Sequence, residues 1–417
     1  MNRGSSFLIL LVILFLSSCS SAPNTENILT LALDVAPMSL DPRIGVDASS
    51  ERLDQLIFSA LLGVDETSSF VPDISESWEI PDLTTYVFHL RDDVRFHDGR
   101  ALTAKDVLYT CTSIMQGSVL SPRRGALELV KEIEALNDHT VRFTLTEPFA
   151  PFLWNLVGIR IIPYGAGVEL ATNPIGSGPF VFQHYIRDAE VLLHSNQDYF
   201  GGKPDIDTVR FKIIPEAVVR GLELRKGTVD IALNALPPDM VETLGGAPSL
   251  SVMKAQGTNY QYLAFNLRDP LFGDVRVRRA IAHAVDRDSL IEHIWRNQVR
   301  SANSVLPPNN WAHSEDVRRY EYDPDLARTI LEEAGYTNLS FTYRTSTDET
   351  GLLVASALQE QFKQIGITMN IQSNEFATFF SDVLNGNFQM YSLRWIGGNN
   401  DPDIFHSIFH SDMVPSN

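Results

Sequence analysis

Ser75-Glu76-Ser77-Trp78-Glu79, Tyr86-Val87-Phe88-His89-Leu90-Arg91, Val94-Arg95-Phe96-His97-Asp98-Gly99 and Leu102-Thr103-Ala104-Lys105-Asp106-Val107 follow one another between Val71 and Thr110. Physically, this stretch reads as a strand, a turn and a helix. Tyr86, Phe88 and Leu90 alternate with Val87, His89 and Arg91, the period-two pattern of a strand buried on one face. Asp98-Gly99 is a turn signal. Thr103 and Asp106 stand at the spacing of a capping box, which opens a helix from Ala104 to Met115 through Val107 and Leu108. None of these side chains needs to touch a ligand, so the stretch specifies a fold rather than a site.

In this order, the four words resemble the signature of the family 5 extracellular solute-binding proteins, the dipeptide, oligopeptide and nickel receptors of ABC importers. The resemblance continues through Ser39-Leu40-Asp41-Pro42, Asp198 to Pro204, Arg225 to Asp230, Tyr262 to Asn266 and Asp274 to Ile281. Asn173-Pro174-Ile175-Gly176-Ser177-Gly178-Pro179-Phe180 is similar to the family's Pro-x-Gly-Thr-Gly-Pro-Tyr turn, with Ser177 in place of Thr. The likeness runs from about Ile28 to the end of the chain. It implies an α/β fold of the type II periplasmic-binding-protein kind, with two main lobes of mixed sheets joined by a hinge and an extra subdomain in the first lobe. The expected boundaries are lobe I at 28–50 and 172–255, the inserted subdomain at 51–171, and lobe II at 256–417. The resemblance further implies a monomeric receptor that closes on a small solute between its lobes and delivers it to ABC permease and ATPase subunits. Peptides are the default solute. Glycans, nickel complexes and opines are the alternatives, as is a sensor or periplasmic chaperone on the same scaffold.

Periodicity extends this reading. Ile28 to Asp34 alternate as a first strand, and a helix is expected over Glu51 to Leu62. Glu128 to Glu134 and Thr140 to Leu145 read as strands around an Asn137-Asp138 turn. Val277, Ile281, Ala284 and Val285 form an apolar stripe on the helix that Asp274 opens, and Asp286 caps the next helix. Asp323-Pro324 starts another helix, which Gly335 stops. Leu339, Phe341 and Tyr343 alternate as a strand. Leu352, Ala355, Leu358, Phe362 and Ile365 then make an amphipathic helix ended by Gly366. Ile367 to Ile371 is strand, Phe376 to Leu384 helix, and Phe388 to Trp395 strand. That alternation predicts a right-handed parallel βαβαβ unit, whose ligands bind beyond the carboxyl ends of the strands. The loop after Trp395 lies there.

That loop, Arg394 to Phe405, resembles the family's Trp-x-x-Asp-x-x-Asp-Pro-Asp-x-Phe motif in the wall of the ligand cleft. In the peptide-binding members, an aspartate three residues before Asp-Pro anchors the peptide's α-ammonium; here that position is Gly398. A buried ammonium without its carboxylate costs several kcal/mol. Either Asp401 or another acid takes over, or the ligand has no free α-amine. The expected ligand-binding residues are Trp395, Asn399, Asn400, Asp401, Tyr260, Tyr262 and Asn266. Trp395 either stacks on ligand or fills core. Asp401-Pro402-Asp403 is favoured as a helix N-cap over an acid–base pair. His406 and His410, with Asp403, have the spacing of metal ligands but are favoured as structural, so no metal or cofactor is expected. The glycines at 176 and 178 fit neither the dinucleotide fingerprint nor a Walker loop, and no nucleophile elbow or metalloprotease motif is present, which argues against an enzyme.

At the N-terminus, Arg3 precedes an apolar run, Phe7 to Leu16, too short to span a bilayer. Leu16-Ser17-Ser18-Cys19 resembles the bacterial lipobox and is favoured over an ordinary signal peptide. It implies a signal peptide at 1–18, lipidation at Cys19, a linker at 19–27 and a protein anchored to the outer face of a bacterial membrane. The second of the two cysteines, Cys111, has no disulfide partner in such a protein and is expected to be a small buried hydrophobe. With 33 basic and 52 acidic residues, the formal net charge of −19 argues against nucleic acid and anionic lipid as main partners. Against the family's usual length, the chain is expected to be truncated at its C-terminus.

Overall fold

A computed structural model describes residues 27–233, 236–308, 310–395, 401, 402, 405 and 409. The chain opens with β1 (Ile28–Leu33), the helix Ala48–Ile57 and a ribbon of β2 (Leu62–Val64) and β3 (Phe70–Pro72). Next comes an antiparallel sheet of β4 (Ser75–Asp82), β5 (Thr85–Leu90), β6 (Val130–Asn137) and β7 (Thr140–Leu145), in the order β4-β5-β7-β6. β8 (Phe180–Ile186), β9 (Glu190–Ser195), β10 (Thr208–Ile213) and β11 (Ile231–Ala232) then join β1 in a five-stranded sheet, β11-β1-β10-β9-β8. The last sheet, β12-β15-β13-β14, is built from β12 (Tyr260–Phe265), β13 (Leu339–Ser346), β14 (Ile367–Asn374) and β15 (Met390–Trp395). The fold is mixed α/β with two principal mixed sheets and a separate antiparallel sheet inserted in sequence between β1 and β8 of the first.

The signature stretch folds as its pattern dictates. Tyr86, Phe88 and Leu90 are buried on one face of β5, against Phe143, Phe152 and the helix Ala104–Met115. At that helix start, the Thr103 backbone N–H donates to Asp106 Oδ2 at 2.7 Å. Gly99 turns the chain with φ +88°, a conformation favouring glycine. Cys111 is fully buried, and burial pushes its thiol up to about 12.

His97 explains why this stretch and the distant 174–180 turn occur together. Its backbone N–H donates to Gly176 O at 2.8 Å. Its ring bonds Gly178 O through Nε2 at 3.0 Å and accepts from the Gly176 N–H through Nδ1 at 3.4 Å. That pair of bonds needs the neutral Nε2–H tautomer. The turn also lies against the end of the helix Ala48–Ile57: a Cβ at Gly176 would sit 1.9 Å from Ile57 O, and one at Gly178 2.5 Å from Leu56 O. These glycines make a backbone-to-backbone contact, not a nucleotide loop.

The Ala48–Ile57 helix corrects the expected Glu51–Leu62 span. Asp47 Oδ1 accepts from the Ser49 and Ser50 N–H groups, which starts the helix earlier. The Gly178 N–H takes Ile57 O, and Leu62 pairs with Pro72 in the ribbon, which ends it earlier.

In the last sheet, β13 runs parallel to β14 on one side, from Leu339↔Ile367 to Ser346↔Asn374, and parallel to β15 on the other. The parallel unit expected from the sequence is present, with β12 added antiparallel outside β15. The helix Glu349–Gln364 packs Ala355, Leu358 and Phe362 on the Phe341 and Tyr343 face. Burial of Leu358 and of Phe362 contributes about 2 kcal/mol each. On the opposite face, Arg344 Nη1 donates to Asp382 Oδ2 of the helix Phe376–Leu384 at 2.7 Å. Crossover helices on both faces make β13 the switch point of the sheet.

Candidate functional site

β13, β14 and β15 point their carboxyl ends, Ser346, Asn374 and Trp395, the same way. β12 runs oppositely, so its first residue, Tyr260, stands beside Trp395, and Tyr262 stands beside Leu393. Cross-strand neighbours share a face, which puts Tyr260, Tyr262, Tyr391 and Trp395 on one side of the sheet. The Tyr260 and Tyr262 rings lie 5.7 Å apart, and Tyr262 and Tyr391 meet edge to face at 6.1 Å. Tyr391 also packs edge-on against Phe388 at 4.7 Å and Phe379 at 6.3 Å. The result is a half-buried aromatic wall leading to the carboxyl end.

This wall is neutral. Burial, with the adjoining Tyr391 phenol, holds the Tyr262 hydroxyl well above its ordinary range, and burial alone raises Tyr260. All three phenols therefore keep their protons at physiological pH and offer donor–acceptor groups on apolar rings, a surface suited to an uncharged or amide-rich solute. The nearby Arg344 is already paired with Asp382. Among the described residues, no three His, Cys, Asp or Glu side chains are placed to hold a metal ion.

The expected site residues divide. Tyr260, Tyr262 and Trp395 come together. Asn266 does not: it follows the opposite end of β12, where Phe265 pairs with Met390. Its Nδ2 donates to Gly386 O at 3.2 Å and Phe388 O at 2.9 Å, and its Oδ1 accepts from the Arg268 N–H at 3.1 Å. Asn266 thus clasps the turn before β15. Asp401 and Pro402 are partly buried, and Phe405 is helical, its N–H bonded to Pro402 O at 3.0 Å. Gly398, Asn399, Asn400, Asp403, His406, His410 and Cys19 lie outside the described residues.

A second group escaped the sequence reading. β10 and β11 run parallel to β1, so the first lobe also has a carboxyl end. Val35, Met38, Val46 and Leu233 stand there exposed, at 61%, 74%, 42% and 50%. They are fixed around the start of the Ala48–Ile57 helix. Ser49 Oγ donates to Val35 O at 2.7 Å, the Met38 N–H to Asp47 Oδ2 at 3.2 Å, and Arg52 Nη2 to Leu233 O at 3.2 Å. The carboxyl-end rule applied to lobe II would have found them too.

Two mixed sheets with an antiparallel sheet inserted in the first make a fold of the type II periplasmic-binding-protein class. The chain belongs to the bacterial extracellular solute-binding proteins, family 5, whose middle-region model matches residues 69–414. It is similar to the dipeptide-binding protein of Escherichia coli strain K12, 30% identical over 402 residues, 88% of this chain and 74% of that protein. Among solved structures, it resembles NikZ from Campylobacter jejuni in complex with Ni(L-His), with TM-score 0.83 and 26% identity over 93% of this chain and 81% of that one. DppA from Helicobacter pylori in complex with the peptide STSA gives TM-score 0.83 and 30% identity, covering 91% and 80%. The protein is a periplasmic or extracellular solute receptor, not an enzyme.

Proposed function

We propose that this receptor captures short peptides between its lobes and delivers them to an ABC permease for import. The observation that carries this reading is the neutral wall of Tyr260, Tyr262 and Trp395 at the carboxyl end of the second-lobe sheet. Phenols and an indole pack apolar side chains and bond peptide amides, and the aliphatic Val35, Met38, Val46 and Leu233 supply the facing wall. Asn399, Asn400 and Asp401 complete the site, with Asp401 in the ammonium-anchoring role that Gly398 cannot fill. The similarity to a dipeptide-binding protein and to a peptide-bound DppA supports this choice. The lobes follow the boundaries 28–50 with 172–255, and 256–417, with 51–171 inserted. The receptor works as a monomer held at the membrane by a lipid on Cys19, after removal of residues 1–18.

A non-peptide solute is the second reading. Gly398 favours it, since it leaves a peptide ammonium without its usual carboxylate, and the similarity to a structure holding Ni(L-His) adds to it. A thermal-shift panel separates the two. Free di- and tripeptides are expected to raise the melting temperature, as binding at a hundred times Kd stabilises by about 2.7 kcal/mol. N-acetylated peptides are expected to fail if Asp401 holds the ammonium. Response only to acetylated peptides, oligosaccharides or nickel–histidine would move the protein to the second reading.

A further inference from the structure

Two hydrogen bonds cross between the lobes from a single turn. Arg296 Nε bonds Asp239 Oδ1, and Gln298 Nε2 donates to Pro238 O at 2.8 Å. On the first-lobe side, Pro238 and Asp239 open the helix Pro238–Gly245. That helix is seated on the helix Ala217–Lys226, where a Cβ at Gly221 would lie 2.4 Å from Met240 Sδ, so the two pack at glycine distance. On the second-lobe side, the turn follows the helix Arg287–His293, whose Leu290, with Ile294 just after it, packs against the core of the last sheet. Each end of the contact is therefore fixed in its own lobe.

The turn is built to reach across. Arg296 and Asn297 are consecutive non-glycine residues with φ of +48° and +55°, a pairing that L side chains seldom adopt. The Asn297 N–H to Ile291 O and Gln298 N–H to Trp295 O bonds, 3.0 and 2.9 Å, hold it. A cavity of about 480 Å³ lies at the contact, lined by Asp239, Glu242, Thr243, Glu292, Arg296 and Asn297. The Arg296 guanidinium there faces Asp239 and Glu242 across the contact, with Glu292 on its own side, so separating the lobes takes the counter-charge from Asp239 and Glu242. The segment that joins the Pro238–Gly245 helix to β12, residues 251–257, is exposed and without regular structure.

We propose that Arg296 and Asp239, seconded by Gln298 and the Pro238 carbonyl, form a clasp that biases the angle between the lobes toward the one in this structure. The clasp depends on the two-lobe fold and not on which solute is bound. Spin labels at Val218→Cys and Leu353→Cys, both exposed, report the interlobe distance by double electron–electron resonance. The background is the full chain with Cys19→Ser and the fully buried Cys111 left in place. Arg296→Glu and Asp239→Arg, each alone, are expected to shift or broaden the distance distribution. Combining them restores the ion pair with reversed charges and is expected to return the distribution toward wild type. Salt at 1 M, where the screening length is about 3 Å, is expected to move the wild-type distribution in the same direction as the single variants. A distribution unchanged by both single variants and by salt, or a double variant no closer to wild type than its parents, overturns the clasp.

Discussion

Asp54 has no solvent exposure, and neither of its carboxylate oxygens has a hydrogen-bond partner among the described residues. Burial, reinforced by Glu51, pushes its carboxyl up to about 8 despite Arg123 and Arg160 nearby. The folded state thus holds a proton that the unfolded chain releases near pH 4. Stability is full below that pH, falls as pH rises toward 8, and is level above, with a ceiling on the loss of about 6 kcal/mol. Asp54→Asn is expected to melt several degrees above wild type at pH 8 and close to it at pH 4. Equal melting temperatures at both would show that Asp54 is ionised in the fold. His97 behaves oppositely. Burial lowers its pKa, and its two ring bonds require the neutral form. The unfolded chain therefore takes up a proton first, and stability present above pH 6.5 is lost as pH falls toward the folded value. His97→Phe strands the Gly176 N–H, while Gly178 O keeps its bond from Asn196 Nδ2, an expected cost of about 2 kcal/mol by urea denaturation. It is also expected to flatten the dependence of stability on pH between 5 and 7.

At the scale of elements, legibility followed the range of the interactions involved. β5, the helix Ala104–Met115 and β13 were readable because their periods and caps lie within a dozen residues. The pairing of β1 with β10, 180 positions later, leaves no local trace, and neither does the two-residue β11. The start of the Ala48–Ile57 helix was missed because Ser49, Ser50 and Asp54 occupy its buried face, breaking the apolar period. Of the expected site residues, the carboxyl-end rule puts Trp395 beside Tyr260, whereas Asn266, four residues after Tyr262, follows the far end of β12. Val35 and Met38 were passed over because an exposed apolar side chain looks, in sequence, like core. If the aromatic wall binds solute, Tyr262→Ala is expected to weaken binding about 30-fold, the loss of roughly 2 kcal/mol common for a central aromatic contact. Tyr262→Phe is expected to keep most of the affinity. Titration calorimetry checks both, and an alanine variant that binds like wild type removes Tyr262 from the site.

The hydrophobic interior of the whole molecule is divided. One cluster joins the antiparallel sheet to the helix Ala104–Met115, a second fills the five-stranded sheet, and the third surrounds the last sheet. Ile175 packs against both of the first two, which ties them together, while among the described residues the third shares no member with either. The bonds reaching from the 295–298 turn to Pro238 and Asp239 are peripheral and partly exposed, and an exposed ion pair adds under about 1 kcal/mol. A contact of that size is enough to bias the angle between the lobes but too small to couple their unfolding, which then depends on a solute held by both. Differential scanning calorimetry of the ligand-free receptor is expected to show two transitions, one for residues 27–255 and one for the last-sheet unit. A saturating ligand adds its binding energy only when both lobes are folded, so the two transitions are expected to merge into one at higher temperature. A single sharp transition without ligand would mean that the interface between the lobes is stronger than these contacts make it. Two transitions that persist at saturation would mean that the solute rests on one lobe alone.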